Sequence, residues 1–216
     1  SIVTWTGSGS GNETVGHGLS SAPEMIILKP RSEARHWLIW FDAFGDNDKA
    51  FLFDEDVPAD NRYGPNAPTT SVFGLYGGQG NRDTTTFVAY AFHSVQGYSK
   101  FGRFIGNNDS DGAMVYTGFK PRWIMVKNGS TNHSNHDWII FDSKRERVNL
   151  IDTFLKGNSG EAETTSGRNQ VDFLSNGFKA RSSYGDFNGG SGDYFYYAAF
   201  AEHPFVTSTG IPATAK

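Results

Sequence analysis

The chain has 216 residues; 15% are aromatic, 26 are glycine, 19% are charged, and the formal net charge is −4. That length can bury roughly 70% of the unfolded surface. The balance excludes both the basic footprint of a nucleic-acid binder and the high-charge, low-hydrophobicity profile of a disordered chain. There is no cysteine, so disulfides, thiolate-ligated zinc and thiol chemistry are excluded.

In chain order the elements read as strands and turns. Residues 2–6 alternate like a strand, and 7–11 form a Gly-rich break. Residues 24–29 are a buried strand with Pro23 just ahead of it, where a missing N–H costs least. Residues 37–41 and 51–53 are further strands. Residues 54–70 hold Pro58, Gly64, Pro65 and Pro68 and read as a long loop. Strands at 71–76 and 85–93 follow, then 100–105, 122–127, 137–141, 149–155, 170–174, 177–181 and 194–202. Gly and Asn cluster between them. No segment sustains the i, i+3, i+4, i+7 apolar pattern of a long helix. Short strands separated by turn signals predict an all-β fold, an antiparallel β-sandwich or jelly roll. The longest apolar runs are strand-sized, so no membrane insertion is expected. No basic segment followed by an apolar one opens the chain, so no signal peptide is expected, and Ser1 points to a processed chain or an excised fragment.

The chain also repeats itself. His36-Trp37-Leu38-Ile39-Trp40-Phe41-Asp42 returns 100 residues later as His136-Asp137-Trp138-Ile139-Ile140-Phe141-Asp142. Met25-Ile26-Ile27-Leu28-Lys29 returns as Trp123-Ile124-Met125-Val126-Lys127, and Phe87-Val88-Ala89-Tyr90-Ala91-Phe92 as Phe195-Tyr196-Tyr197-Ala198-Ala199-Phe200. The order is kept. Two tandem β-rich copies are expected, over residues 1–98 and 99–216, with Phe41 and Phe141 at equivalent core positions and Lys29 matching Lys127. A repeat of about 100 residues is too long for a solenoid unit. The joint lacks a flexible linker, so close packing of the copies is expected.

Sites are weakly marked. There is no G-x-S-x-G, H-E-x-x-H or phosphate-cradling loop. His36 and Asp42 lie six residues apart, about 20 Å along a strand, so they cannot form a dyad. Asp42 and Asp142 are expected to accept backbone hydrogen bonds in the turns that follow them. Asn107, Asp109 and Asp111 place oxygen side chains at alternate positions, with Gly112 sixth, like the start of a calcium loop. The twelfth position is Gly118 rather than a bidentate Glu, so the match is partial and a hydrophilic turn is the other reading. Asp46 and Asp48 with Asp54, Glu55 and Asp56 read as a solvated acidic cluster. His17, His93, His133 and His203 lack metal-ligand spacing. Loop aromatics are the better ligand candidates: Arg62 and Tyr63, Tyr76, and Tyr184, Asp186, Phe187 and Asn188. Flat rings stack on the C–H patches of sugars, while Asn, Asp and Arg meet hydroxyls. The last strand, residues 194–200, is aromatic on both faces, so both must be covered, by the other copy or by a partner subunit.

Several of these segments together resemble a repeated β-rich module of tailed-phage structural and tail-fibre proteins, including marine and cyanobacterial ones. They are Trp5-Thr6-Gly7; His17-Gly18-Leu19-Ser20-Ser21-Ala22-Pro23; the strand ending in Lys29; Tyr197-Ala198-Ala199-Phe200-Ala201-Glu202-His203-Pro204-Phe205; and the small-residue tail 211–216. The second copy has Tyr116-Thr117-Gly118-Phe119 in place of the His-Gly-Leu start, so any role of His17 is not general. The resemblance implies a non-enzymatic virion protein, placed in a tail fibre or surface appendage. It implies a homo-oligomer, a trimer by preference, that contacts other virion proteins, and it carries no catalytic residues. With the loop aromatics, the expectation is binding of a host surface glycan or another virion protein; no cofactor is expected apart from calcium at the partial loop. The other readings are a capsid decoration or assembly protein without a ligand, and a polysaccharide depolymerase.

Overall fold

A computed structural model describes residues 1–47, 49–53, 64, 66–130 and 136–204. The chain divides into two compact units, Ser1–His93 and Ser94–Lys216. The boundary falls five residues before the expected one. Ser94 to Tyr98 belong to the second unit because Val95 bridges to Ser99 and the Ser94 hydroxyl accepts from the Phe101 amide at 3.2 Å.

In unit 1 the strands are β1 (Ile2–Thr6), β2 (Glu13–Gly16), β3 (Met25–Pro30), β4 (Leu38–Phe41), β5 (Phe51–Leu52), β6 (Val72–Leu75) and β7 (Thr86–Phe92). They form an antiparallel five-stranded sheet, β1-β7-β3-β4-β5, and a hairpin pair, β2-β6. Alternation puts Ile26, Leu28, Leu38, Trp40, Phe87 and Ala89 on one sheet face. There they pack against Val15, Phe73 and Leu75 of the smaller sheet. The result is a two-layer sandwich.

Unit 2 contains β8 (Ser99–Ile105), β9 (Met114–Tyr116), β10 (Pro121–Asn128), β11 (Ile139–Asp142), β12 (Thr153–Lys156), β13 (Thr164–Thr165), β14 (Val171–Leu174), β15 (Gly177–Ala180) and β16 (Tyr194–Ala201). Its main sheet runs β8-β16-β10-β11-β12-β13, and β14-β15-β9 form the second layer. The core joins Phe104, Ile124, Val126, Phe141 and Phe195 of the first sheet to Val115, Phe173 and Phe178 of the second. The all-β antiparallel fold is as the sequence predicts. Three short strands, β2, β9 and β13, lie where no strand is expected. The strand expected at 149–155 begins later, at Thr153.

The strand order of unit 1 returns in unit 2: first, last, third, fourth, fifth, with β13 added at the edge. Contacts return with it. Trp5 stacks on Phe87 at 5.2 Å and meets Phe73 edge-on at 5.9 Å; Phe104 stacks on Phe195 at 5.1 Å and meets Phe178 edge-on at 6.0 Å. Val15 pairs with Phe73, and Val115 with Phe178.

One expected equivalence is corrected. Ile26 pairs with Trp40, whereas Ile124 pairs with Phe141. Phe141 therefore matches Trp40, and Phe41 matches Asp142. The backbone agrees: the Asp42 and Ser143 amides donate to the carbonyls of Glu24 and Arg122. The offset here is 101 residues, so Trp37 matches Trp138. A one-residue slip on a strand moves a side chain to the opposite face. Accordingly, Trp40 and Phe141 sit in the core clusters and Phe41 does not. Lys29 and Lys127 do match, since Val88 pairs with Lys29 and Tyr196 with Lys127.

Candidate ligand clefts

The two lysines shape the first feature of the site. Each sits at the end of the third strand of its unit, and its ammonium donates to a backbone carbonyl ahead of the fourth strand: Lys29 to Arg35, Lys127 to His136. Lys127 is fully buried. Its charge thus ties down the segment that enters β11, and Lys29 does the same for β4. A cleft opens beside this segment in each unit.

In unit 2 the cleft has a volume of about 340 Å³ and is lined by Asp137, Phe154, Lys156, Glu161, Thr164, Ser166, Arg168, Asn169, Tyr184 and Asp186. The β11–β12 pair brings Asp137 and Lys156 together at 2.9 Å, and Glu161 lies 2.9 Å from the same ammonium. Glu161 and Asp137 hold Lys156 well above its ordinary pKa. Asp137 Oδ1 also accepts from Asn158 Nδ2 at 3.0 Å, and the Trp138 amide donates to Asn158 Oδ1 at 2.9 Å.

Asp186 is buried at the back of the cleft. Its Oδ1 accepts from the Asp137 amide and its Oδ2 from Asn169 Nδ2, both at 3.3 Å. Burial pushes its carboxyl above the usual Asp value and the charge of Asp137 adds to this, against the two hydrogen bonds and the nearby His136. Tyr184 stands at the rim, 41% exposed. The Arg168 guanidinium lies 5.1 Å from its ring centroid and donates to its hydroxyl at 3.1 Å. Asn169 Oδ1 and Ser166 Oγ lie buried beneath the lining and have no hydrogen-bond partner among the described residues. The cleft thus offers a fixed, half-exposed ring beside a mixed set of charges.

The expected ligand residues separate. Tyr184 and Asp186 line this cleft. Phe187 and Asn188 turn inward: Phe187 is fully buried against Phe104 and Phe141. Asn188, at φ 75°, donates to Asn107 Oδ1, Asp109 O and Ser182 O at 2.7–2.9 Å. The turn explains the split, since the Phe187 and Gly189 amides both donate to Tyr184 O. Tyr76 lies in unit 1 at the end of β6, with its carbonyl accepting from the Gly80 amide. Arg62 and Tyr63 lie outside the described residues, as do Asp48, Asp54, Glu55, Asp56 and His133.

The calcium-like loop is a closed turn. Asn107 Oδ1 accepts from the Asp109 amide, and Asp109 Oδ1 from the Asp111 amide. Lys179 at 2.6 Å and Arg181 at 3.2 Å neutralise Asp111, and Lys179 chiefly holds its carboxyl below the usual range. Two cations on the outermost carboxylate compete with any metal. Among the described residues, no three His, Cys, Asp or Glu side chains are grouped to hold an ion. The turn has a counterpart in unit 1, where buried Asn81 donates to Ser8 Oγ, Ser10 O and Glu13 Oε2.

Asp142 accepts from the Lys144 amide at 2.7 Å, as expected, whereas after Asp42 it is the backbone carbonyl that accepts, from Gly45. His17 closes its turn through both ring nitrogens: Nδ1 accepts from the Leu19 amide and Nε2 donates to Thr69 O. Thr117 takes that place in unit 2, donating to Phe119 O.

In unit 1 the corresponding cleft, about 400 Å³, is lined by Lys29, Ala34, Arg35, His36 and Trp37. Trp37 is 39% exposed, whereas its match Trp138 is fully buried. Sequence reasoning passed over Trp37, Asp137, Lys156, Arg168 and Asn169. The readable signal was the Lys29–Lys127 match, which marks the corner where each cleft opens.

A family model described as a domain of unknown function, DUF7483, matches residues 1–204. No curated protein and no solved structure matches the chain.

Proposed function

We propose that this chain, which belongs to the DUF7483 family, is a non-enzymatic virion module of a tailed phage, placed in a tail fibre or surface appendage, and that the unit 2 cleft holds a host glycan. The observation that carries the glycan reading is the Tyr184 ring, held by Arg168 at the rim of a cleft that Asp137, Lys156 and Glu161 also line. A sugar stacks its C–H face on such a ring, and its hydroxyls meet the charged side chains beside it. The placement in a virion rests on the sequence resemblance. In that setting the chain is a homo-oligomer, a trimer by preference, touching other virion proteins.

The arrangement of the carboxylates supports a binding role over a hydrolytic one. Both oxygens of Asp186 already accept hydrogen bonds, and Asp137 is spent on Lys156 and Asn158. A general acid needs a proton aimed at the leaving oxygen. A glycan array read with the wild-type chain and Tyr184→Ala tests the reading. Binding of a neutral glycan that falls roughly tenfold in the variant is expected, the loss of one stacked ring. No binding at all favours a decoration or assembly protein, and release of reducing ends from host polysaccharide favours a depolymerase.

A further inference from the structure

We propose that the unit 1 cleft is a second carbohydrate site, specific for an acidic sugar, with Trp37 as the stacking platform and Arg35 as the carboxylate-binding residue. The proposal extends the glycan reading of unit 2 to a separate site with a different ligand class.

Three observations carry it. The first is position. The Arg35 and His136 carbonyls receive the matched lysines, so both clefts flank the same segment of the repeated fold. The second is the tryptophan. At one register position, unit 2 seals Trp138 completely, whereas unit 1 leaves Trp37 39% exposed in the cleft. An indole that the fold can bury but leaves open is a platform for a flat apolar face.

The third is charge. The segment that carries Asp137 in unit 2 carries Arg35 and His36 in unit 1, with the Lys29 ammonium 5.7 Å from the Trp37 ring. Among the described residues, the acid paired with Arg35 is Glu33. One of its oxygens accepts from Arg35 Nε at 2.8 Å; the other meets Arg82 at 3.2 Å and the Thr85 hydroxyl at 2.8 Å. Glu33 is thus shared among several donors. It engages the Arg35 guanidinium through Nε alone, leaving the terminal nitrogens without a partner among the described residues. Those two nitrogens match a carboxylate, and the Trp37 ring beside them matches the sugar that bears it.

Trigalacturonate is the probe, with neutral galactotriose as control. Titration of each into the full chain is followed by tryptophan fluorescence and calorimetry. Trigalacturonate is expected to bind, to weaken as salt rises, and to lose roughly tenfold in affinity in Trp37→Ala and in Arg35→Gln. Tyr184→Ala should leave it unchanged. Trp37→Phe should retain part of the affinity, which separates a lost platform from a lost fold, and unfolding midpoints confirm that each variant is folded. Trigalacturonate binding that is absent, or that survives both Trp37→Ala and Arg35→Gln, overturns the proposal. Binding that falls with Tyr184→Ala instead assigns the acidic sugar to unit 2 and overturns it equally. The unit 2 reading fails separately, by showing no neutral glycan sensitive to Tyr184→Ala.

Discussion

Asn188 shows how much one side chain does in this fold. It is fully buried, sits at positive φ, and satisfies Asn107, Asp109 and Ser182 at once. Asn188→Ala should cost about 3 kcal/mol in urea unfolding, because the buried Ser182 carbonyl and two partly buried acceptors lose their donor. Two carboxylates should pull the pH dependence of stability in opposite directions. Burial raises the pKa of Asp186, so the folded chain holds that proton more tightly than the unfolded one. The resulting stability is fully present below the ordinary value of 3.8 and is lost as pH rises through the folded value. Lys120, at 2.8 Å, and more weakly Lys144 lower the pKa of Glu202. Its contribution is present above the ordinary 4.5 and is lost as pH falls through the folded value. Unfolding midpoints measured from about pH 3 to about pH 7 should show that Asp186→Asn removes the loss on the rising side and Glu202→Gln the loss on the falling side.

At the level of the strand, register decides what a substitution does. Phe141→Ala should cost roughly 3–5 kcal/mol, since Phe141 is fully buried in the unit 2 core. Phe41 and Asp142 share a register position, yet they are not interchangeable. Phe41 is fully buried, so Phe41→Asp should cost roughly 3–5 kcal/mol as an uncompensated buried charge. Asp142→Phe should cost only about 1 kcal/mol, the hydrogen bond to the Lys144 amide. Urea unfolding of both variants checks the asymmetry. The apolar strands were legible in the sequence because alternation and bulk speak directly to burial. The 101-residue offset was not: matching His36 to His136 and Asp42 to Asp142 makes a better letter alignment than the one the hydrogen bonds obey. Strands β2, β9 and β13 were missed because two to four residues carry too little periodicity. Of the clefts, the ring and carboxylate at 184–186 were legible as a cluster. Their partners Lys156, Arg168 and Asn169 were not, since only the folded chain brings them near.

The molecule as a whole repeats one sheet order twice, and its composition follows from that order. β16 is aromatic on both faces because it lies inside the main sheet; Phe195 and Tyr197 enter the core cluster, and Tyr196 and Ala198 on the other face are buried as well. Its rings therefore give no argument for a partner subunit, and the trimer expected of a fibre module must be built on other surfaces. Light scattering at micromolar concentration should give about three chain masses of 23.7 kDa; a single chain mass removes the trimer from the reading. In each unit the strand made last fills the middle of the sheet: β7 between β1 and β3, β16 between β8 and β10. During synthesis at roughly 5–20 residues per second, the sheet therefore waits, split in two, with open edges on β8 and β10, until its final strand leaves the ribosome. A nascent chain halted at residue 193 is then a pair of exposed, sticky edges rather than a nearly finished domain, and the cell must shield it until those last eight strand residues arrive.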